Sequence, residues 1–282
     1  MRQRTVQCLS PAGFHDMAYV EWGEPDNPRL LVCAHGLTRC GRDFDFLAQA
    51  LADQYRVVCP DVVGRGRSAW LRDKNHYRIP QYCADMVTLL ARLDAQTVHW
   101  LGTSMGGLIG MALAAQQGTP ISRLVLNDVG PVVTAGSIVR IGEFLGRAPR
   151  FATIEEAEAY VRFVSAPFGA LTDAQWRHLT IHTLRPFAEG GYAMAYDPGI
   201  AEPFRLDMGS GKDVELWPRY DAVTCPTLLV RGAQSDLLTV ATAREMGERG
   251  PRARLAEIQN VGHAPVLMAD DQIGIVRDFL LG

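Results

Sequence analysis

The sequence predicts an α/β fold, a mostly parallel sheet with helices on both faces, interrupted once by a helical insertion. Three observations carry this reading. Short apolar runs ending in Gly, Asp or Pro recur along the chain, and helix-like stretches separate them. The alternation stops between Pro131 and Trp217 and then resumes. Short runs buried on both faces are what central parallel strands look like. Strands alternating with helical patterns argue for right-handed βαβ units.

The first 27 residues alternate and are rich in turn formers, which predicts two antiparallel strands joined at Pro11-Ala12-Gly13. Strands follow at Leu30 to Ala34, Arg56 to Cys59, Val98 to Leu101, Arg123 to Leu126, Thr227 to Val230 and Ala253 to Ile258. Helices are expected over Phe44 to Ala52, Pro80 to Leu93 and Met105 to Gln117. The insertion has 87 residues and holds 11 of the 23 aromatic side chains, with helices expected at Ser137 to Leu145, Ile154 to Val164 and Asp173 to Thr183. One core domain made of 1–130 and 218–282, with 131–217 as a helical cap, is more economical than two independent domains.

Composition excludes several classes. Of 282 residues, 48% are hydrophobic and 21% charged, ordinary usage for a globular chain able to bury a core. With 28 basic and 31 acidic residues the net charge is -3, so neither a nucleic-acid nor a polybasic membrane surface is expected. No apolar stretch approaches the roughly 20 residues of a membrane span. The N-terminal segment has no apolar signal-peptide run. No pair of the six cysteines has CxxC spacing, so metal-site and thioredoxin-type readings lack support. A cytoplasmic location is expected; the oligomeric state is left open.

The chemistry centres on Gly102-Thr103-Ser104-Met105-Gly106. A G-x-S-x-G pentapeptide between an apolar strand and a helix is the setting of a nucleophile turn, which projects the serine over the sheet edge at a helix N-terminus. There the helix dipole favours developing negative charge. A serine hydroxyl needs a base, and the base an orienting acid. In chain order Ser, Asp or Glu, His, the base is His263, on the loop after the last strand. The acid is expected to be Asp236, just past the strand Thr227 to Val230. Asp128, after the strand ending at Leu126, is its rival. Asp61 is a weaker one, more plausibly capping the loop Val62 to Ser68. Backbone N–H groups of Met105 and Leu37 are the expected oxyanion donors. His35 reads as a residue bonding nearby backbone, and Thr38 and Arg39 as candidate substrate contacts.

Together these residues resemble the α/β-hydrolase superfamily, through His35-Gly36, Pro60 to Ser68, the turn at Ser104, Asp236 and Gly262-His263. The resemblance implies an eight-stranded sheet with a cap inserted after the sixth strand, where 131–217 falls. Epoxide hydrolases and haloalkane dehalogenases of that superfamily place aspartate where this chain has Ser104. Carbon–carbon hydrolases of ring-cleavage products commonly carry tryptophan at the position of Ala264. Peroxidase-like members tend to have an aromatic residue at that of Leu37. The layout is similar to that of bacterial esterases acting on polyester or hydroxyalkanoate oligomers, including their HGLTR-type turn at His35 to Arg39. The resemblance therefore implies a cofactor-free and metal-free serine carboxylesterase for small or oligomeric esters with short to medium acyl chains. A carbon–carbon hydrolase and a triad-retaining ligand receptor are the alternatives.

Overall fold

A computed structural model describes residues 1–208 and 211–282. The chain opens with the hairpin β1 (Arg2–Ser10) and β2 (Gly13–Trp22), joined by Pro11-Ala12. Gly13 has φ +115°, a conformation that glycine adopts freely. Then follow β3 (Leu30–Ala34), α1 (Asp45–Leu51), β4 (Arg56–Pro60), α2 (Ile79–Arg92), β5 (Val98–Thr103), α3 (Met105–Ala114) and β6 (Ile121–Asn127). The helix expected from Phe44 begins as a 3-10 turn, Gly41–Phe44. The one expected to reach Gln117 stops at Ala114, ahead of Gly118 at φ +72°.

After β6 the chain leaves the sheet. It makes β7 (Val132–Val133), α4 (Ala135–Phe144), β8 (Arg150–Phe151), α5 (Ile154–Val164), α6 (Asp173–Thr183), β9 (Leu184–Pro186), β10 (Tyr192–Met194), α7 (Ala201–Met208), β11 (Val214–Glu215) and α8 (Trp217–Asp221). Thr134, Thr153 and Thr172 each accept the N3 amide at the start of α4, α5 and α6. Such caps satisfy donors a helix cannot satisfy internally. The insertion expected at 131–217 falls on this excursion, apart from 209 and 210, which lie outside the described residues. The small ribbons β8-β10-β9 and β11-β7 were not anticipated.

The chain returns with β12 (Thr227–Gly232), α9 (Val240–Glu248), β13 (Arg254–Ile258) and α10 (Asp270–Leu281). The sheet has eight strands in the order β1-β2-β4-β3-β5-β6-β12-β13, and β2 is antiparallel to both of its neighbours. Alternate residues of the central strands enter two cores. Val32, Trp100, Leu124 and Leu229 meet α2, α3 and α9, while Leu31, Leu101, Val125 and Leu228 meet α1 and α10. This two-sided burial is why those strands read as continuous apolar runs. No described helix is long and apolar enough to cross a membrane.

Candidate active site

The serine turn follows from close packing. β5 ends at Thr103 and α3 begins at Met105, so Ser104 alone reverses the chain, at φ 52° and ψ −116°. Such a conformation costs a residue with a side chain about 1–3 kcal/mol. A Cβ on Gly102 would come within 2.2 Å of the Gly106 carbonyl, and one on Gly106 within 2.0 Å of the Ala34 oxygen. Only glycine lets strand, turn and helix approach so closely. The Trp100 indole N–H donates to the Gly106 carbonyl at 3.1 Å, and the Ser104 N–H to the Asn127 carbonyl at 3.0 Å.

His263 stands on the loop after β13, with Nε2 3.0 Å from Ser104 Oγ and Nδ1 2.7 Å from Asp128 Oδ2. Asp128 is fully buried at the end of β6. Its Oδ1 accepts the Gly232 N–H at 2.9 Å, and its Oδ2 also accepts the Ser235 hydroxyl at 2.6 Å. An ionised carboxylate only accepts, so Nδ1 carries the proton and Nε2 faces the serine hydroxyl as an acceptor. Asn127 ties the same edge together, its amide donating to Thr103 Oγ1 at 2.9 Å and to the Pro265 carbonyl at 2.8 Å.

Asp236, the expected acid, does not reach the imidazole. Its side chain is 56% exposed and faces Arg140, with contacts of 2.7 and 2.8 Å. The reason is sheet order. β6 lies between β5 and β12, so the residue leaving β6 stands between the serine turn and the histidine loop. The chain leaving β12 instead directs Ser235 inward onto Asp128 and the next residue outward. Asp61 does cap its loop, accepting the Gly41 and Arg67 N–H groups at 2.7 and 2.9 Å.

The loop after β3 is held by His35, which is fully buried. Its Nε2 accepts the Val62 N–H at 2.9 Å, leaving Nδ1 to donate to the Gly36 carbonyl at 2.7 Å. Burial is the largest cause lowering its pKa to about 4, so the ring is neutral. Both bonds fix the peptide that carries the Leu37 N–H. Met105 opens α3, where N–H groups have no internal acceptor. Arg65, absent from the expected site residues, lies behind these two, its Nε donating to the Leu37 carbonyl at 2.8 Å. Thr38 and Arg39 line the site, but the Arg39 fork is engaged by Asp43 through two bonds of 2.7 Å.

Two cavities meet at Ser104, sharing Leu37, Ser104 and Ile141. One, about 380 Å³, is walled by apolar groups such as Leu108, Ile200, Phe204 and Leu237. The other, about 230 Å³, contains His263, Thr38, Arg39, Tyr160 and Phe168. Residues of the excursion, Phe144, Tyr160, Phe168, Tyr196 and Phe204 among them, line these cavities, so part of its aromatic content faces the site. Among the described residues, two groupings with metal-ligand chemistry, Cys8-His15-Asp85 and Asp45-His178-His182, include no residue of the Ser104 series. Asp45 is already paired to Arg42 at 2.5 Å.

This sheet, with a serine, imidazole and carboxylate in series at its edge, defines the class of protein: a hydrolase built on an α/β sheet. Residues 29–269 match the family model of the alpha/beta hydrolase fold, and the chain belongs to that family. It is 52% identical over 283 residues to a 3-hydroxybutyrate-oligomer hydrolase of Cupriavidus necator, covering 98% of this chain and 97% of that one. An alpha/beta hydrolase structure from Novosphingobium aromaticivorans superposes with TM-score 0.87 at 35% identity, covering 99% of this chain and 97% of the other. A structure from Rickettsia typhi gives TM-score 0.92 at 32% identity, covering 99% of each chain.

Proposed function

We propose that this protein hydrolyses carboxylic esters through an acyl-enzyme on Ser104, and that oligomers of a short hydroxy acid are its substrates. The observation that carries the reading is the continuous series from Ser104 Oγ to His263 to buried Asp128, at 3.0 and 2.7 Å. His263 takes the serine proton as Oγ attacks the ester carbonyl, and Asp128 stabilises the resulting imidazolium. The N–H groups of Leu37 and Met105 bind the tetrahedral oxyanion, a donor of this kind being worth about 3 kcal/mol. His263 returns the proton to the departing alcohol and then activates water, which releases the acid and restores Ser104.

The leaving alcohol must lie within reach of His263, which lines only the smaller of the two cavities, so that cavity takes the alcohol fragment and the larger apolar one the acyl chain. Residues 131–217 act as the cap that closes both. Thr38, in the smaller cavity, contacts the alcohol fragment. Support for the oligomer substrate comes from the 52% identical relative, itself a hydrolase of 3-hydroxybutyrate oligomers. That relative does not favour the carbon–carbon hydrolase or receptor alternatives. The six cysteines are unpaired, which supports a reducing, cytoplasmic setting.

The test is turnover of p-nitrophenyl butyrate and of 3-hydroxybutyrate trimer by the parent and by Ser104→Ala. Both activities should disappear in the variant, with the circular dichroism spectrum unchanged. Undiminished turnover would overturn the mechanism. Ester turnover without trimer cleavage would overturn the substrate assignment alone.

A further inference from the structure

We infer that Arg65 is a positioning residue for the oxyanion site: it braces the Leu37 backbone and the Met105 side chain from behind and keeps a positive charge there that no carboxylate among the described residues cancels. The inference rests on the serine-hydrolase reading above and deepens it.

Arg65 is one of the largest fully buried side chains of the protein. Burying a guanidinium is unfavourable unless its donors are met, and an acidic partner is the usual means. Among the described residues none stands within ion-pair distance of it. Its donors go elsewhere. Nε donates to the Leu37 carbonyl at 2.8 Å, Nη1 to the Val63 carbonyl at 2.8 Å and the Tyr82 hydroxyl at 2.9 Å, and Nη2 to Met105 Sδ at 3.5 Å. The cation also lies 4.9 Å from the Tyr82 ring centroid and 5.7 Å from that of Tyr77, a placement ring quadrupoles favour.

Two of these contacts fall on the two residues whose N–H groups face the reacting carbonyl. The Leu37 carbonyl that Arg65 holds follows directly on the Leu37 N–H, so fixing one limits rotation of the other. The Met105 side chain is held from the same side. Tyr82, Leu37 and Met105 line the larger cavity, but Arg65 does not, so it acts through them rather than by touching substrate. A buried carboxylate partner would cancel the field at the oxyanion; carbonyls, a thioether and ring faces leave the net charge in place. In a water-excluded site such a charge acts strongly on a developing anion. The loop is itself anchored: Gly66 N–H donates to the Ala195 carbonyl at 2.7 Å, and Asp197 N–H to the Gly64 carbonyl at 2.8 Å.

The test compares Arg65→Met and Arg65→Lys with the parent for ester kcat and KM and for affinity toward a butylboronic acid. That acid becomes a tetrahedral anion on the serine and so reports the oxyanion site. Loss of the brace and charge should lower kcat about 100-fold in Arg65→Met, the scale of one oxyanion donor. Arg65→Lys, which keeps the charge and loses the fork, should lose about 10-fold. KM should stay within about 3-fold, and the boronate Kd should rise by the same factors as kcat falls. A purely structural role would lower the melting temperature without this parallel. Either variant, folded, binding boronate like the parent, or losing activity through KM alone, would overturn the proposal. If Arg65→Met does not fold, Arg65→Lys carries the same comparison. An active Ser104→Ala would instead strike the underlying mechanism.

Discussion

Asp128→Asn isolates the role of the buried carboxylate. The substitution preserves volume in a site with no room to spare, since Asp128 is fully buried and contacts Gly232, Ser235 and His263 at 2.9, 2.6 and 2.7 Å. The Gly232 N–H still needs an acceptor, so the Asn oxygen remains at the Oδ1 position and its NH2 group takes that of Oδ2. That group then donates to His263 Nδ1, which forces the ring proton onto Nε2, facing Ser104 Oγ. The imidazole can no longer accept the serine proton. In a well-studied serine protease, the same change of tautomer lowers kcat by about 10⁴, or about 5.5 kcal/mol of barrier. Asp236→Ala should change kcat less than about 3-fold, because its exposed carboxylate faces Arg140 and does not reach His263. The assay is p-nitrophenyl butyrate kcat, with enzyme concentration set by fluorophosphonate titration and folding checked by thermal melting. A folded Asp128→Asn within 10-fold of the parent would refute the reasoning, as would an Asp236→Ala loss of equal size.

Two further outcomes follow from the site's surroundings. The pKa of His35 falls from its ordinary 6.5 to about 4 on folding, mainly through burial. Folded His35 therefore binds its proton less readily than unfolded, so its contribution to stability is full above pH 6.5 and is lost as pH falls toward 4. Between pH 6.5 and 5, the urea unfolding free energy of the parent should fall about 2 kcal/mol more than that of His35→Asn; parallel profiles would contradict this. Leu108→Trp fills part of the 380 Å³ cavity and should shift preference from hexanoyl toward acetyl esters. An unchanged chain-length series would remove that cavity from the acyl side.

Much of the fold is legible because its signals are local. Strands such as Leu30 to Ala34 are buried on both faces, and α5 and α6 fall at Ile154–Val164 and Asp173–Thr183, where their patterns place them. The serine turn is legible for the same reason, its glycines being required by contacts within a few residues of Ser104, apart from that with Ala34. The loop histidine His35 bonds backbone as expected, at the adjacent Gly36, and also at Val62 in the loop after β4, a partner 27 residues away that the sequence does not indicate.

The acid could not be read this way. Asp128 and Asp236 both follow an apolar strand and both precede His263, so spacing along the chain does not separate them. What separates them is that β6 pairs with β5 on one side and β12 on the other, which places the end of β6 under the imidazole and turns Asp236 to solvent. Arg65 is hidden in the same manner, a charged residue in a glycine-rich loop whose partners at Leu37, Tyr82 and Met105 are distant in sequence. The amino-acid sequence determined the sheet class and the turn at Ser104, and it pointed to His263 and to the excursion, all of which depend on short-range pattern. Only the tertiary structure brings Asp128 to the His263 imidazole and Arg65 behind Leu37 and Met105, because the first contact depends on the lateral order of strands and the second on packing between residues distant in sequence.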